Sequence, residues 1–465
     1  QVLLSIPLSC PFHPNVVLSW LLRCLRYKDP MTRDKRQCQT ARKYLHDGKK
    51  RSKMAFFENN RDNTMKTEHS YHFGHSGNMK EIPGQSVHLV VTSPPYPMIE
   101  MWDDLFSEQS DDVARALKGG RRLDAYEAMH RELDRVWTEV GRVLVPGGFA
   151  CINIGDATRT LDSHFMLYPN HARILSAMIA LGFTPLPEIV WRKQSNAPNK
   201  FMGSGMLPAG AYVTQEHEYV LILRKGGKRE FKSEEAKEHR MASAFFWEER
   251  NTFFSDVWFD LLGTRQALED KETRRRSAAY PFELPYRLIT MYSLKGDTVL
   301  DPFFGIGTTM LAAMAAGRNS VGYELSQGFA PAIEARTKDI LAFSRERIAA
   351  RLDNHMAFVK DRLAAGKPFK HTNRHYLFPV VTGQERGLLL NEPEELTQTG
   401  PARFEVSYSD HAPQRVIETW ERIATGAPPA PEPVVKKSRA NITEKKKPGR
   451  PKKTSVPKAE QLELF

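Results

Sequence analysis

Between Thr298 and Glu324 the sequence spells out a strand, a tight turn, a helix and a second strand in close succession. Thr298-Val299-Leu300 is a short apolar run, followed by the turn Asp301-Pro302-Phe303-Phe304-Gly305-Ile306-Gly307. Met310, Leu311 and Met314 then form a helical stripe that stops at Gly317, and Ser320 to Tyr323 reads as a strand ending in Glu324. A backbone that turns this sharply out of a strand, with a ligand pressed against it, needs residues without a Cβ, which Gly305 and Gly307 supply. Two strands separated by one helix pair in parallel through a crossover, so this segment alone points to an α/β sheet.

The same alternation runs upstream as far as Met65, which stands just ahead of the first recognisable core strand. Val87 to Val91 is a buried strand. Tyr126, Met129, Leu133, Val136, Trp137, Val140 and Val143 make one face of a helix over 123–143, which Pro146-Gly147-Gly148 ends. Phe149 to Ile154 follows as a strand closing at Gly155-Asp156, then a helix over 171–181, a strand at 188–191 and another at 218–223. The expected fold is α/β, a mostly parallel central sheet with helices on both faces.

Composition sets the outer bounds. A chain of 465 residues, 41% apolar, can bury one large core or two ordinary ones. Cys10, Cys24, Cys38 and Cys151 show no paired spacing and no nearby histidine cluster, so neither a metal site nor a disulfide framework is expected. A reducing, cytoplasmic setting is the simplest reading. No run of 18 apolar residues occurs, Pro7, Pro11 and Pro14 break the apolar start, and the first positive charge, Arg23, follows that stretch, which argues against a membrane span or secretory leader. The net charge of +12 is concentrated at the ends: residues 1–64 carry +8 and 431–465 carry +6, leaving 65–430 at −2. Such flanks suit a polyanionic partner and otherwise read as solvated tails. Residues 1–64 are expected to be a basic extension outside the α/β pattern.

Just beyond the strand at 87–91 lies Thr92-Ser93-Pro94-Pro95-Tyr96. This pentapeptide, with the glycine turn far downstream, resembles the DNA amino-methyltransferases that use S-adenosyl-L-methionine, in the beta order where the catalytic motif precedes the cofactor motif. The resemblance covers roughly 65–340 and is strongest at 84–102 and 281–324. It implies a permuted methyltransferase fold: a catalytic half over 65–227, a target-recognition insert over 228–277 and a cofactor half over 278–340. Asp301, Phe303, Gly305 and Gly307 would line the methionine portion of the cofactor, and Glu324 would hold its ribose. Tyr280 to Ile289 is similar to the segment that closes over the cofactor, with Phe282 and Pro285 as its contacts, although Ser277-Ala278-Ala279 stands where the family often has histidine and proline.

The catalytic motif implies work on an exocyclic amine, whose lone pair is delocalised into the ring and must pyramidalise before attack. The resemblance gives that work to the Ser93 hydroxyl and the Pro94 carbonyl, with Pro95 stiffening the loop and Tyr96 stacking on a flipped base of double-stranded DNA. Serine at the head of the motif points to cytosine N4, with adenine N6 as the alternative and a non-catalytic DNA-binding protein on the same fold as a third. A C5-cytosine enzyme would need a thiolate after proline, and no Pro-Cys pair exists. A nicotinamide-binding fingerprint lacks its third glycine, where Met310 stands.

The insert is rich in Phe245, Phe246, Trp247, Phe253, Phe254, Trp258 and Phe259, which either stack on displaced bases or form a small core. Residues 341–424 are expected to be a helical and irregular extension, and 425–465 a disordered basic tail. Within it Lys446, Lys447, Arg450, Lys452 and Lys453 surround Gly449-Arg450-Pro451, which looks like an AT-hook apart from Pro448 in the usual arginine position. A companion restriction endonuclease is a further partner the resemblance implies.

Overall fold

The structure, a computed structural model, describes residues 65–193, 208–209, 213–261 and 280–425. Its strands are β1 Lys66–Phe73, β2 Val87–Thr92, β3 Leu144–Ile154, β4 Ala157–Leu161, β5 His164–Tyr168, β6 Phe183–Arg192, β7 His217–Lys225, β8 Val257–Trp258, β9 Thr298–Asp301, β10 Asn319–Glu324, β11 His371–Thr372, β12 Pro379–Val380, β13 Pro393–Gly400 and β14 Arg403–Tyr408. Ten of these form one sheet in the order β13-β14-β1-β10-β9-β2-β3-β7-β6-β8. The five central strands, β1, β10, β9, β2 and β3, all run parallel, while β7 and β14 run against their neighbours. Five of the six residues of β2 are buried, as an apolar run covered on both faces must be.

Helices Glu283–Tyr292 and Thr308–Ala316 bury Leu284, Leu288, Met310 and Leu311 against Leu89, Val91 and Val299 on one face. Helix Arg122–Val143 buries Met129, Leu133, Trp137 and Val140 against Val90, Ile152 and Leu300 on the other. The connections leaving β9 and β2 therefore diverge to opposite faces, and the crevice between two such neighbouring strands is where open α/β sheets take their ligands.

Three expectations change. Pro146-Gly147-Gly148, read as a helix stop, lies inside β3 as a bulge. Pairing with β2 jumps from Val87 opposite Leu144 to Leu89 opposite Phe149, which loops out 145–148. The strand expected at 188–191 begins at Phe183, with a register shift between Leu186 and Ile189 that accommodates Pro185 and Pro187. The extension over 341–424 contains the long helix Ile340–Ala364 but also the hairpin β13–β14, which continues the main sheet beside β1 and buries Phe404, Val406 and Tyr408.

That extension shares a core with the insert. Phe246 packs among Ile348, Leu352, Met356, Tyr376 and Phe378. Arg351 meets Glu249 through Nε (2.5 Å) and Nη2 (2.7 Å), and Glu248 bonds His355 at 2.7 Å. Of the insert's aromatics, Phe246, Phe253 and Trp258 are buried, Phe245 and Trp247 are half-buried, and Phe254 and Phe259 are exposed.

Candidate active site

Each motif residue sits where a central strand ends at the carboxyl edge of the sheet. β9 ends at Asp301, β10 at Glu324, β2 at Thr92 and β3 at Ile154, and the antiparallel β7 starts at the same edge with His217 and Glu218. The glycine turn and the Ser-Pro-Pro-Tyr loop thus emerge from adjacent strands.

Asp301 ties the two together. Its Oδ1 accepts from Thr92 Oγ1 (2.6 Å) and the Phe303 amide (3.1 Å), and its Oδ2 accepts from Thr309 Oγ1 (2.6 Å) and Tyr280 Oη (3.2 Å). Burial raises the Asp301 carboxyl above its ordinary range and these donors pull it back, with burial the larger effect. Four donors on one buried carboxylate lock the turn to β2 and to the segment entering helix Glu283–Tyr292.

The turn itself is left-handed at Gly305 (φ 54°) and Gly307 (φ 77°), and Gly307 precedes helix Thr308–Ala316. Glu324 closes the turn from β10: Oε2 accepts from the Gly305 amide and Oε1 from the Ser326 amide, both at 2.8 Å. Burial is the main force raising its carboxyl above the ordinary range. Arg336 Nη1 braces the far side by donating to the Ile306 carbonyl and Thr308 Oγ1, both at 2.9 Å. Phe304 fills the space beside Gly322, where a Cβ would lie 1.9 Å from its ring, and stacks on Tyr71 at 5.3 Å. Phe303 meets Trp137 edge-on at 6.0 Å on the opposite face.

At the second loop, Pro94 and Pro95 are buried while Ser93 and Tyr96 are partly open. Ser93 Oγ lies 3.1 Å from Tyr96 Oη, and Tyr96 Oη donates to Glu218 Oε2 at 2.9 Å. Asn153 Nδ2 donates to both Tyr96 Oη (2.9 Å) and Glu218 Oε2 (2.7 Å), and Lys193 Nζ donates to Glu218 Oε1 at 2.7 Å. The Tyr96 ring lies against Gly155, where a Cβ would come within 2.9 Å of it. Burial, then the Glu218 carboxylate, keeps the Tyr96 hydroxyl protonated well beyond its ordinary range. Gly155 is held in turn by Asn170 Nδ2, which donates at 3.0 Å to its carbonyl and to that of Pro97.

The structure therefore brings together Ser93, Pro94, Pro95, Tyr96, Asp301, Phe303, Gly305, Gly307 and Glu324 along one edge. Phe282 is in the apolar core instead, 7% exposed, stacked on Tyr286 and edge-on to Phe343, and Pro285 is buried in the following helix. Tyr280 is the side chain from that segment that reaches the turn. Asn153, Glu218, Lys193, Tyr280, Thr309 and Arg336 escaped the sequence reading. Asn153 and Glu218 carried a faint signal as polar residues interrupting apolar strands. Lys446, Lys447, Arg450, Lys452 and Lys453 lie outside the described residues.

A parallel-centred sheet with a glycine turn and a polar Ser-Pro-Pro-Tyr loop side by side on its carboxyl edge defines an α/β transferase-type site. Residues 87–335 match the family model N6_N4_Mtase, described as DNA methylase, and the chain belongs to that family. It is 51% identical to the Type II methyltransferase M.MthZI of Methanothermobacter thermautotrophicus over 76% of its own length and 98% of that protein. The Type II methyltransferase M.MjaI of Methanocaldococcus jannaschii is 49% identical, covering 58% of this chain and 91% of that one. Among solved structures, a provisionally assigned DNA modification methylase from Thermus thermophilus, complexed with S-adenosyl-L-methionine, is 33% identical with a TM-score of 0.46, covering 58% of this chain and 94% of that one.

Proposed function

We propose that this DNA methyltransferase moves a methyl group from S-adenosyl-L-methionine to the N4 amine of a cytosine flipped out of duplex DNA. The observation that carries the reading is the Thr92–Asp301 hydrogen bond, which fastens the amine-handling loop to the glycine turn. Residues at the turn fit the cofactor. A Cβ on Gly305 would meet no atom within 4 Å, so the turn borders open space, and Glu324 and Asp301 bring two carboxylates to it. Bound there, S-adenosyl-L-methionine supplies an electrophilic methyl on a sulfonium, a cation that suits an acidic cradle. Asp301, Phe303, Gly305, Gly307 and Glu324 hold it.

On the other side of the crevice, the Ser93 hydroxyl and the Pro94 carbonyl accept the amine hydrogens. This favours the pyramidal nitrogen that attack requires, while buried Pro95 keeps the loop rigid and Tyr96 stacks on the base. Electrostatic positioning, without a strong base, carries the rate. Serine at the head of the motif favours cytosine, while the family's own name spans N6 and N4 targets and so keeps adenine N6 as the second reading. Digesting enzymatically methylated duplex DNA to nucleosides separates them. N4-methylcytosine supports the assignment, N6-methyladenine moves the same chemistry to the other base, and no methylated nucleoside on mixed-sequence DNA points to a recognition site absent from that DNA or to a binding protein without turnover.

The C-terminal segment around Gly449-Arg450-Pro451 adds DNA affinity through Lys446, Lys447, Arg450, Lys452 and Lys453, either in a narrow minor groove or along the phosphates. Removing 431–465 should weaken DNA binding and flatten its salt dependence while methylation persists, and an unchanged salt slope would refute the role. The Type II names of its relatives support pairing with a restriction endonuclease.

A further inference from the structure

The polar cluster behind the Ser-Pro-Pro-Tyr loop has a direction. Glu218 Oε2 takes the Tyr96 hydroxyl at 2.9 Å and the Asn153 amide at 2.7 Å, while Oε1 takes the Lys193 ammonium at 2.7 Å. A carboxylate so supplied with donors only accepts. Tyr96 has one hydroxyl hydrogen, and it is spent on Glu218. The 3.1 Å contact between Tyr96 Oη and Ser93 Oγ can then be filled in one way only, with Ser93 donating and Tyr96 accepting. Ser93 is left with its lone pairs for whatever enters the crevice. Asn153 Nδ2, the other donor nearby, is 3.5 Å from Ser93 Oγ, and closer to Tyr96 and Glu218.

We infer that Glu218 is a positioning residue which, acting through Tyr96, fixes Ser93 as a hydrogen-bond acceptor toward the substrate amine. Resting on the reading of the site as an amine methyltransferase, this explains how a hydroxyl able to point either way is set for a substrate group that only donates. The arrangement is built from three strand ends: Ser93 and Tyr96 follow β2, Asn153 lies in β3 and Glu218 in β7. Gly155 gives the Tyr96 ring the room it needs to reach Glu218. The high protonation range of the Tyr96 hydroxyl agrees with a neutral donor at that position.

The test compares the full-length protein with Glu218→Gln, Tyr96→Phe and the double variant. Single-turnover methyl transfer to duplex DNA is measured alongside S-adenosyl-L-methionine affinity by calorimetry and the tyrosine Cζ signals of ¹³C-labelled protein. Glutamine keeps the size but offers an amide that donates as well as accepts, so Glu218→Gln should slow transfer about 10- to 100-fold with cofactor affinity changed less than about twofold. In the Tyr96→Phe background the same substitution should cost little more, because the relay is already cut. Independently of turnover, the Tyr96 Cζ signal, recognised by its loss in Tyr96→Phe, should begin to titrate at lower pH in Glu218→Gln. Equal slowing in both backgrounds, or an unmoved Tyr96 signal, would overturn the inference. Methylated adenine as the product would correct the target base and leave this comparison intact.

Discussion

Thr92 Oγ1 and Asp301 Oδ1, 209 positions apart in sequence, are 2.6 Å apart at the ends of adjacent strands. This bond between a neutral hydroxyl and a buried carboxylate adds to the backbone pairing of β2 with β9 and fastens the two halves of the site at their strand ends. Thr92→Val keeps the shape and removes the donor. Hydrogen bonds to charged groups contribute about 1.5–3 kcal/mol, so a loss of that order is expected in urea unfolding, accompanied by weaker S-adenosyl-L-methionine binding. Unchanged cofactor affinity would mean that the two loops are held in register by other contacts.

Gly155→Ala tests whether the placement of Tyr96 matters. The added methyl would lie 2.9 Å from Cε2 and 3.2 Å from Cδ2 of the ring, whose hydroxyl is pinned at its far end by Glu218 and Asn153. The ring cannot yield without breaking those bonds. Methyl transfer should fall at least about tenfold, the order of effect expected from misplacing one catalytic group, while thermal unfolding shifts by only a few degrees. Wild-type turnover in this variant would show that the site tolerates a displaced Tyr96.

Lys295 makes stability depend on alkaline pH. Its ammonium is enclosed against the Leu389 carbonyl and Asn391 Oδ1. Burial, reinforced by Arg318 and Arg351, lowers its pKa from 10.5 to about 7. Between those values the unfolded chain holds a proton that the folded chain has released, so stability rises with pH across the window, by up to about 1.4 kcal/mol per unit for a single proton. Below about pH 7 both states are charged and the full penalty applies. Lys295→Met should remove this contribution, so the gap in urea midpoint between variant and wild type should change steadily from pH 7 to 9. Parallel pH profiles would show that Lys295 titrates normally.

Local signals carried most of what the sequence made legible. Gly305 and Gly307 announced the turn because a left-handed backbone favours glycine. The β2 and β9 strands announced themselves by short apolar runs, and the helix over 123–143 by its stripe. What escaped depends on long-range pairing. Glu218 becomes part of the site only because β7 runs antiparallel to β3 and opens at the edge where β2 ends. Tyr280 and Phe282 are two residues apart, yet one reaches Asp301 and the other enters the core, a choice set by how helix Glu283–Tyr292 packs. The insert's aromatics were ambiguous for the same reason: the partners of Phe246, from Ile348 to Phe378, lie about a hundred residues downstream, while Trp258 packs in the main core with Ile189 and Trp191. The strand at Phe404, Val406 and Tyr408 was missed, since 341–424 was expected to be helical and irregular, and nothing local tells which sheet edge its short alternation joins.

The most direct test of a two-part amine-methylating site is Ser93→Ala, with methyl transfer from labelled S-adenosyl-L-methionine and cofactor affinity measured on the same preparations. The wild-type protein should label duplex DNA. The variant should bind the cofactor equally well and transfer at least about tenfold more slowly, because it lacks the hydroxyl that positions the amine. Transfer at the wild-type rate would remove Ser93 from the chemistry, and loss of cofactor binding along with transfer would contradict the division of labour between the two loops.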